Sequence, residues 1–207
     1  RGRGERQQGE GRQVRGAPAA RARNAGFARL VEMGQGNSEY VQFMDGDCSL
    51  QDGWLDSAST FLNGNQDVAV VCGRRRERFP EASVYNRLID HEWDTPTGET
   101  RACGGDALMR IEAIAQVGGY NPALIAGEEP DLCFRMRQAG WRIWRLDAEM
   151  TWHDAALMRF GQWWKRACRA GHSFAEGAAL HGHTPERYNQ AQTRRALIWG
   201  AGLPLSI

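Results

Sequence analysis

The sequence has no excess of charge of either sign, few cysteines and no long apolar run, and each absence excludes a class of protein. Its 207 residues carry 26 basic and 25 acidic side chains, a net charge of +1, so the chain as a whole has no attraction to nucleic acid. The five cysteines are scattered and never spaced as CxxC, which argues against a disulfide scaffold or a zinc site and fits a reducing compartment. No apolar run reaches the ~20 residues that a membrane helix needs.

The beginning of the chain is poor in large aliphatic side chains. Arg1–Gly16 is rich in Gly, Arg, Gln and Glu, and Val14 is its only large aliphatic residue. Such a segment cannot bury a hydrophobic face, so we predict that residues 1–15 are disordered. Glu5 and Glu10 dilute the basic charge and no aromatic ring is present for base stacking, which argues against an RNA-binding arm.

The strongest local signal is Tyr40–Trp54, YVQFMDGDCSLQDGW. The short apolar run Tyr40–Met44 predicts a buried strand, and Asp45 and Asp47 follow it, separated by Gly46. In extended backbone, residues i and i+2 point to the same side, and the glycine between them lets a ligand approach the backbone. Carboxylates at the carboxyl end of a strand suit a hard cation such as Mg2+ with substrate phosphates. A plain polar turn explains these residues equally well.

Apolar periodicity and glycine stops predict alternating helices and strands along the rest of the chain. The predicted elements are a helix from Ala19 that ends at Gly34 and Gly36, a helix over Trp54–Leu62, a strand over Val68–Cys72, a helix over Val84–Trp93, a strand turning into a helix from Leu108 to Val117, a helix that begins at Glu128 and Glu129 and ends at Gly140, and a strand over Trp141–Leu146.

Two loops between these elements are candidates for ligand contact. After Val68–Cys72 comes a basic loop, either a solvated surface or a site for a phosphate or an acidic acceptor; it contains Arg74, Arg75, Arg76 and Arg78. Gly104 and Gly105, ahead of the next strand, either permit close backbone approach to a ligand or form a plain bulge.

Glu128 and Glu129 open the helix GEEPDLCFRMRQAG. Pro130 suits its first turn, and the helix dipole there favours ionised carboxylates, by about 0.3–1 kcal/mol when they are exposed. An ionised carboxylate at the edge of a cleft is what a general base requires. The alternative is ordinary acidic residues at a helix N-terminus.

The last part of the chain combines a histidine with a basic aromatic helix. His153 is either a metal ligand or a structural histidine. Phe160, Trp163 and Trp164 begin an apolar stripe at helical spacing, and basic residues lie largely outside it. Such a helix either lies on an anionic membrane surface or packs its stripe on the core.

Taken in order, these motifs resemble family 2 glycosyltransferases of the GT-A fold. The resemblance runs from about Gly16 to Gly177. It rests on ARNAG (22–26), the strand with DGD, the Gly-Gly strand, VGGYN (117–121), GEEPDLCFRMRQAGW and the late His153. It implies an α/β domain of GT-A type, Rossmann-like, with a mixed sheet flanked by helices and without its first strands.

The same resemblance implies an inverting displacement at an anomeric carbon, with a nucleotide-sugar donor and Mg2+ or Mn2+. Motif by motif, Asp45 and Asp47 would hold the donor diphosphate and the metal, Asp47 more directly, and His153 would approach the metal. The remaining matched positions are Arg23 and Asn24 beside the nucleotide, Gly104 and Gly105 at the donor, and Glu129 or Glu128 as the base that deprotonates the acceptor.

Two departures from the family pattern shape the predicted organisation. The strands that cradle the nucleoside would precede Gly16, so the resemblance implies an N-terminally truncated fragment. QWWKR (162–166) differs from the QxxRW signature of processive members and favours single additions. The predicted domains are a disordered segment (1–15), a partial GT-A catalytic domain (16–158), a C-terminal amphipathic helical region (159–195) and the start of a membrane segment (196–207).

The predicted partners are a nucleotide-sugar donor, a glycan or lipid-linked acceptor and a membrane surface, with no nucleic acid. Arg194 and Arg195 precede the uncharged residues 196–207 as a positive flank does on the cytoplasmic side, which predicts a domain at the cytoplasmic face of a membrane. The alternatives are a nucleotidyltransferase and a noncatalytic carbohydrate- or membrane-associated module with Trp163 and Trp164 as contacts.

Overall fold

The computed structural model describes residues 19–33 and 38–202. The predicted disordered segment 1–15, the helix stop at Gly34 and Gly36, and residues 203–207 lie outside the described residues. In chain order the elements are α1 (Ala19–Glu32), β1 (Tyr40–Phe43), β2 (Cys48–Leu50), α2 (Trp54–Gly64), β3 (Val68–Glu77), α3 (Val84–Trp93), β4 (Gly98–Glu99), β5 (Ala107–Arg110), α4 (Ile111–Gln116), α5 (Glu128–Gln138), β6 (Arg142–His153), α6 (Phe160–His181) and α7 (Gln190–Leu197).

The six described strands form one mixed sheet in the order β1-β5-β3-β6-β2, and β4 pairs with β6. The pair β3–β6 is parallel, and the other pairs are antiparallel. Helices flank this sheet, so the predicted mixed α/β architecture is confirmed. Among the described residues no helix combines the length and the apolar character needed to cross a bilayer.

The core forms around the apolar half of β3. Val68–Cys72 is completely buried, as expected for a continuous apolar run inside a sheet. Helix α2 packs its buried side on the sheet through Trp54, Ala58 and Leu62, which recur at i, i+4 and i+8. Helix α5 buries its predicted apolar side in the same core.

The predicted basic loop after Cys72 is wrong. Strand β3 continues through Arg74–Arg76 to Glu77, because β6 also runs on to His153 and pairs with it as far as Glu77↔His153. The register shifts between Cys72 and Arg74 and again between Arg74 and Arg75, which marks a bulge beside Gly73. A Cβ atom at Gly73 would lie 2.5 Å from the carbonyl oxygen of Ala148, so the bulge needs glycine.

Candidate active site

Several strand ends meet on one side of the sheet and position the candidate active site. The DGD segment follows the carboxyl end of β1, and the carboxyl ends of β3 and β6 lie together, at Glu77 and His153. Because β5 is antiparallel to β1, its first residue, Ala107, pairs with Phe43 and brings the preceding loop to the same place. The N-terminus of α5 completes the cluster through contacts described below.

The DGD segment is a turn. The backbone N–H of Cys48 donates to the carbonyl of Asp45 over 3.1 Å, so the backbone does not continue as an extended strand through Gly46. Asp45 and Asp47 consequently contact different partners. The turn predicted by the polar-turn interpretation is therefore present. It directs Asp45 toward Arg23 and Asp47 toward His153.

Asp45 lies among arginines and glycine. Its Oδ1 is 2.6 Å from Nη2 of Arg23, and its Oδ2 is 3.8 Å from Nη2 of Arg75. A Cβ atom at Gly105 would clash with this carboxylate, 2.8 Å from Oδ1. The paired glycines therefore leave room for the side chain of Asp45, because Gly105 has no side chain in its way.

Arg23 connects the DGD turn to helix α5. Its second terminal nitrogen forms an ion pair with Glu128, so one guanidinium bridges the carboxylates of Asp45 and Glu128. Burial opposes the charge of Arg23, but Tyr120, Asp45 and Glu128 outweigh burial and raise its pKa above the ordinary arginine value. The neighbouring Asn24 binds elsewhere: its amide exchanges two hydrogen bonds with the backbone of Tyr120, at 2.8 and 2.9 Å.

Glu129 is enclosed, with 2% of its surface exposed. Its two oxygens accept hydrogen bonds from the backbone N–H groups of Cys103 and Gly104, at 2.8 and 3.0 Å, and Oε1 also accepts one from the thiol of Cys133. Burial raises the pKa of Glu129, and these hydrogen bonds oppose the rise. The carboxylate therefore fixes the loop before β5 and does not face a cleft.

Asp47, Cys48 and His153 form a group of potential metal ligands. One oxygen of Asp47 is 3.3 Å from Nε2 of His153, and the ligand atoms of all three residues lie within 4.8 Å of one another. Asp47 is exposed, whereas the imidazole is largely buried against the ring of Trp93. Burial and a hydrogen bond to Asp106 raise the pKa of the Cys48 thiol, so the sulfur carries a proton in the absence of metal.

These residues fit a divalent cation. A carboxylate oxygen and an imidazole nitrogen at 3.3 Å are donors that Mn2+ accepts, and an exposed carboxylate leaves room for substrate oxygens. Nδ1 of His153 is buried without a hydrogen-bond partner and lies 3.9 Å from Glu77, the arrangement of an imidazole whose Nε2 is available to a metal. Asp45 is held by the two arginines in this arrangement, and its predicted role as a metal ligand stays a prediction.

Sequence reasoning did not identify Asp106 and Glu77 as site residues and placed Arg75 in a loop. Asp106 is fully buried; it accepts from the N–H of Asp45 and the hydroxyl of Thr151, and it pairs with Arg75 at 2.9 Å. Glu77 has no exposed surface and lies beside His153. The run of arginines marked the segment that contains Arg75. The bulge that turns Arg75 inward cannot be predicted from the composition of that segment.

Comparison with known proteins shows curated relatives, one named for succinoglycan biosynthesis and one named a glycosyltransferase. The chain is 48% identical over 148 residues to "Succinoglycan biosynthesis protein ExoA" of Rhizobium meliloti, over 67% of this chain and 45% of that protein. It is 27% identical over 175 residues to "Pre-mycofactocin glycosyltransferase" of Mycobacterium tuberculosis, over 79% of this chain and 35% of that protein. The chain thus spans less than half the length of these curated relatives, and it matches no protein-family model.

A solved structure shows the same fold. It is the mannosyltransferase PcManGT from Pyrobaculum calidifontis in complex with GDP-Man and Mn2+, which superposes with a TM-score of 0.59 at 19% sequence identity. The match covers 90% of this chain and 50% of that chain. The predicted GT-A fold is confirmed, and so is the resemblance to family 2 glycosyltransferases on which it was based.

Proposed function

We propose that this chain, which has the GT-A fold and glycosyltransferase relatives, belongs to a sugar-transferring enzyme. The enzyme moves a sugar from a nucleotide-diphosphate donor to an acceptor hydroxyl, with inversion at the anomeric carbon. The observation that carries this proposal is Arg23, which bridges Asp45 of the DGD turn and Glu128 of α5. That bridge places a candidate donor-binding carboxylate and a candidate base within reach of one another. A transfer reaction needs this juxtaposition of donor and acceptor groups.

The donor diphosphate is the part of the substrate that suits the two arginines. Arg23 and Arg75 both approach Asp45, and both side chains are mostly buried. Guanidinium groups bind phosphate oxygens through paired N–H donors and stay charged at any working pH. In the proposed complex the diphosphate competes with Asp45 and Glu128 for these donors.

Asp47 and His153 would hold a divalent cation, Mg2+ or Mn2+. Such a cation would neutralise the charge that develops on the leaving diphosphate. Support comes from the paired oxygen and nitrogen donors at 3.3 Å and from the Mn2+ named with the mannosyltransferase of the same fold. Cys48 and Glu77 lie beside these two donors and complete their surroundings.

We infer that Glu128, rather than Glu129, is the general base. Its carboxylate lies on the Arg23 side of α5, toward the DGD turn, whereas the oxygens of Glu129 already accept three hydrogen bonds in the interior. In the proposed reaction Glu128 takes the proton of the acceptor hydroxyl as that oxygen attacks the anomeric carbon. Glu129 holds the Gly104 backbone, and with it the loop that contacts Asp45.

The proposed acceptor is a glycan or a lipid-linked sugar at the cytoplasmic face of a membrane, where nucleotide sugars are made. Support for a glycan comes from the relative named for succinoglycan biosynthesis. Support for a membrane comes from helix α6, whose aromatic side chains Phe160 and Trp164 are exposed beside basic residues.

Calorimetry on the intact protein that contains this chain tests the proposal. Parent protein is expected to bind a nucleoside diphosphate only when Mn2+ is present, and Asp47→Asn is expected to lose this binding because it removes a charged ligand. Asp56→Asn, which changes an exposed carboxylate on α2, is the matched control and is expected to bind as the parent does. Undiminished Mn2+-dependent binding by Asp47→Asn would contradict the assignment.

A further inference from the structure

Cys48 has a thiol that the proposed transfer reaction does not use. It follows Asp47 directly and begins β2, where it lies opposite His153 in the antiparallel pair with β6. Opposite residues in such a pair have Cβ atoms about 4.5–5.5 Å apart, so the thiol and the imidazole are close neighbours. Backbone pairing, and not a flexible loop, fixes the position of the thiol.

The three donors are a sulfur, a nitrogen and an oxygen, a set that zinc binds. Zinc bonds are about 2.0–2.3 Å long, so ligand atoms around a tetrahedral zinc lie about 3.3–3.8 Å apart. The contact between Asp47 and His153, at 3.3 Å, already matches this spacing. All three ligand atoms lie within 4.8 Å of one another, which leaves about 1 Å for side chains to close around an ion.

Glu77 lies behind the imidazole of His153, on the side where zinc-binding histidines have an outer hydrogen-bond partner. When Nε2 of His153 binds a metal, the ring proton resides on Nδ1, which is buried without a hydrogen-bond partner and 3.9 Å from Glu77 Oε2. The N–H groups of Phe79 and Ala155 hold the two Glu77 oxygens at 3.0 and 2.9 Å. A shift of the ring by about 1 Å would bring Nδ1 within hydrogen-bond distance of this fixed carboxylate, which would then set the tautomer of the ring and raise its basicity as a ligand.

We propose that Asp47, Cys48 and His153 bind Zn2+ with Cys48 as a thiolate ligand, and that Zn2+ held there excludes the cation and donor of the transfer reaction. On binding, the S–H bond breaks, a sulfur–zinc bond forms and the proton passes to solvent. With Cys48 as a third protein ligand, a four-coordinate Zn2+ would keep one position for a diphosphate oxygen, whereas a cation held by Asp47 and His153 alone would keep several. Zn2+ also binds such a site more tightly than Mn2+ does, and sulfur increases the difference.

Cobalt spectroscopy tests the thiolate directly. Co2+ occupies zinc sites, and a bound thiolate gives it a sulfur-to-metal charge-transfer band in the near ultraviolet. The parent protein is expected to develop this band on titration with Co2+ and to lose it when Zn2+ is added. Cys48→Ser is expected to show no band. Its affinity for Zn2+ is expected to fall by more than roughly 10–100-fold, which is the loss when only an outer-shell partner of a metal ligand is removed. Cys168→Ser, which changes an exposed thiol on α6, is the matched control and keeps the band.

Cobalt binding without a sulfur band overturns the proposal, and so does a band that persists in Cys48→Ser.

The exclusion of the donor rests on the proposed function, but metal binding does not. Stoichiometric Zn2+ is expected to abolish the Mn2+-dependent binding of a nucleoside diphosphate by the parent protein. If that binding does not exist at all, the proposed function fails while the cobalt result still stands. If the parent protein binds a nucleoside diphosphate with Mn2+ and still binds it when Zn2+ is bound to the Cys48 thiolate, the proposed exclusion of the donor by Zn2+ is wrong.

Discussion

Glu128 and Glu129 show how strongly a single position along a helix decides what a carboxylate can do. Both lie in the first turn of α5, where the helix dipole favours ionised carboxylates. The backbone rotates by about 100° per residue in a helix, so one side chain faces Arg23 and the other faces the interior. Their roles should therefore separate when each is changed to glutamine.

We expect Glu128→Gln to lower turnover by roughly 10²–10⁴-fold without weakening donor binding, because it removes the proton acceptor and frees Arg23 for the diphosphate. Glu129→Gln is expected to destabilise the fold by about 1–3 kcal/mol, since one amide nitrogen would face a backbone N–H donor. Turnover assays and urea unfolding of both variants check this. A Glu129→Gln protein that unfolds like the parent but has lost turnover would assign the base to Glu129.

Sequence reasoning at the residue scale found the residues that motifs mark and missed those that the fold brings in. Asp45 and Asp47 were candidates because they follow the predicted strand Tyr40–Met44, and His153 was a candidate because a histidine can bind a metal. Asp106 and Glu77 are single acidic residues without a motif, and only strand pairing places them beside Asp45 and His153. The absence of CxxC spacing gave no sign of a ligand role for Cys48, because cross-strand neighbours need no sequence spacing.

Helix α6 has two large aromatic side chains exposed on its surface. Phe160 and Trp164 are 57% and 55% exposed, one helical turn apart, and their rings stack on each other at 5.9 Å. Trp163, in contrast, stacks on Tyr85 of α3 at 6.3 Å and is half-buried. Trp163 thus packs inward as the core interpretation predicted, whereas Trp164 is exposed, and its contact with a membrane stays a prediction.

Flotation with anionic liposomes separates these roles. At low salt the parent chain is expected to float, and the double variant Phe160→Ala, Trp164→Ala is expected to float much less, because it loses the exposed apolar area while keeping Lys165 and Arg169. Leu55→Ala removes an exposed apolar side chain from α2 and is the control. A parent chain that stays in solution, or a double variant that floats equally well, would contradict membrane contact by this helix.

The basic end of β3 shows why element boundaries were harder to predict than element types. Four arginines in five residues favour a solvated loop, yet the strand persists because β6 offers a partner for its full length. The bulge beside Gly73 then separates the arginines: Arg74 pairs with Asp147 at the surface, whereas Arg75 reaches Asp106. Pairing with β6 sets both the length of β3 and the different partners of Arg74 and Arg75, and the local sequence pattern does not reveal that pairing.

At the scale of the whole molecule, the sequence predicted most of the elements and little of their pairing. Helix α3 has the predicted bounds, and α2 and α5 differ by one or two residues, because glycines and apolar spacing mark them. The strand order β1-β5-β3-β6-β2 was not predictable from local patterns, since neighbours in the sheet are distant in the chain. The resemblance to a known family supplied the architecture that periodicity did not.

The meeting of β2, β3 and β6 also makes the metal a cross-link between distant parts of the chain. Asp47 and His153 come together only when these strands pair, so an unfolded chain does not hold the two donors at the spacing a cation needs. A cation that binds only the folded form stabilises it by about 2.7 kcal/mol at a hundred times its Kd. For a chain of this size that is a rise of roughly 5–10 °C in Tm, which Asp47→Asn should abolish. Thermal melts with a series of cations, and then of nucleotides, would therefore rank the ligands of this site before any acceptor is known.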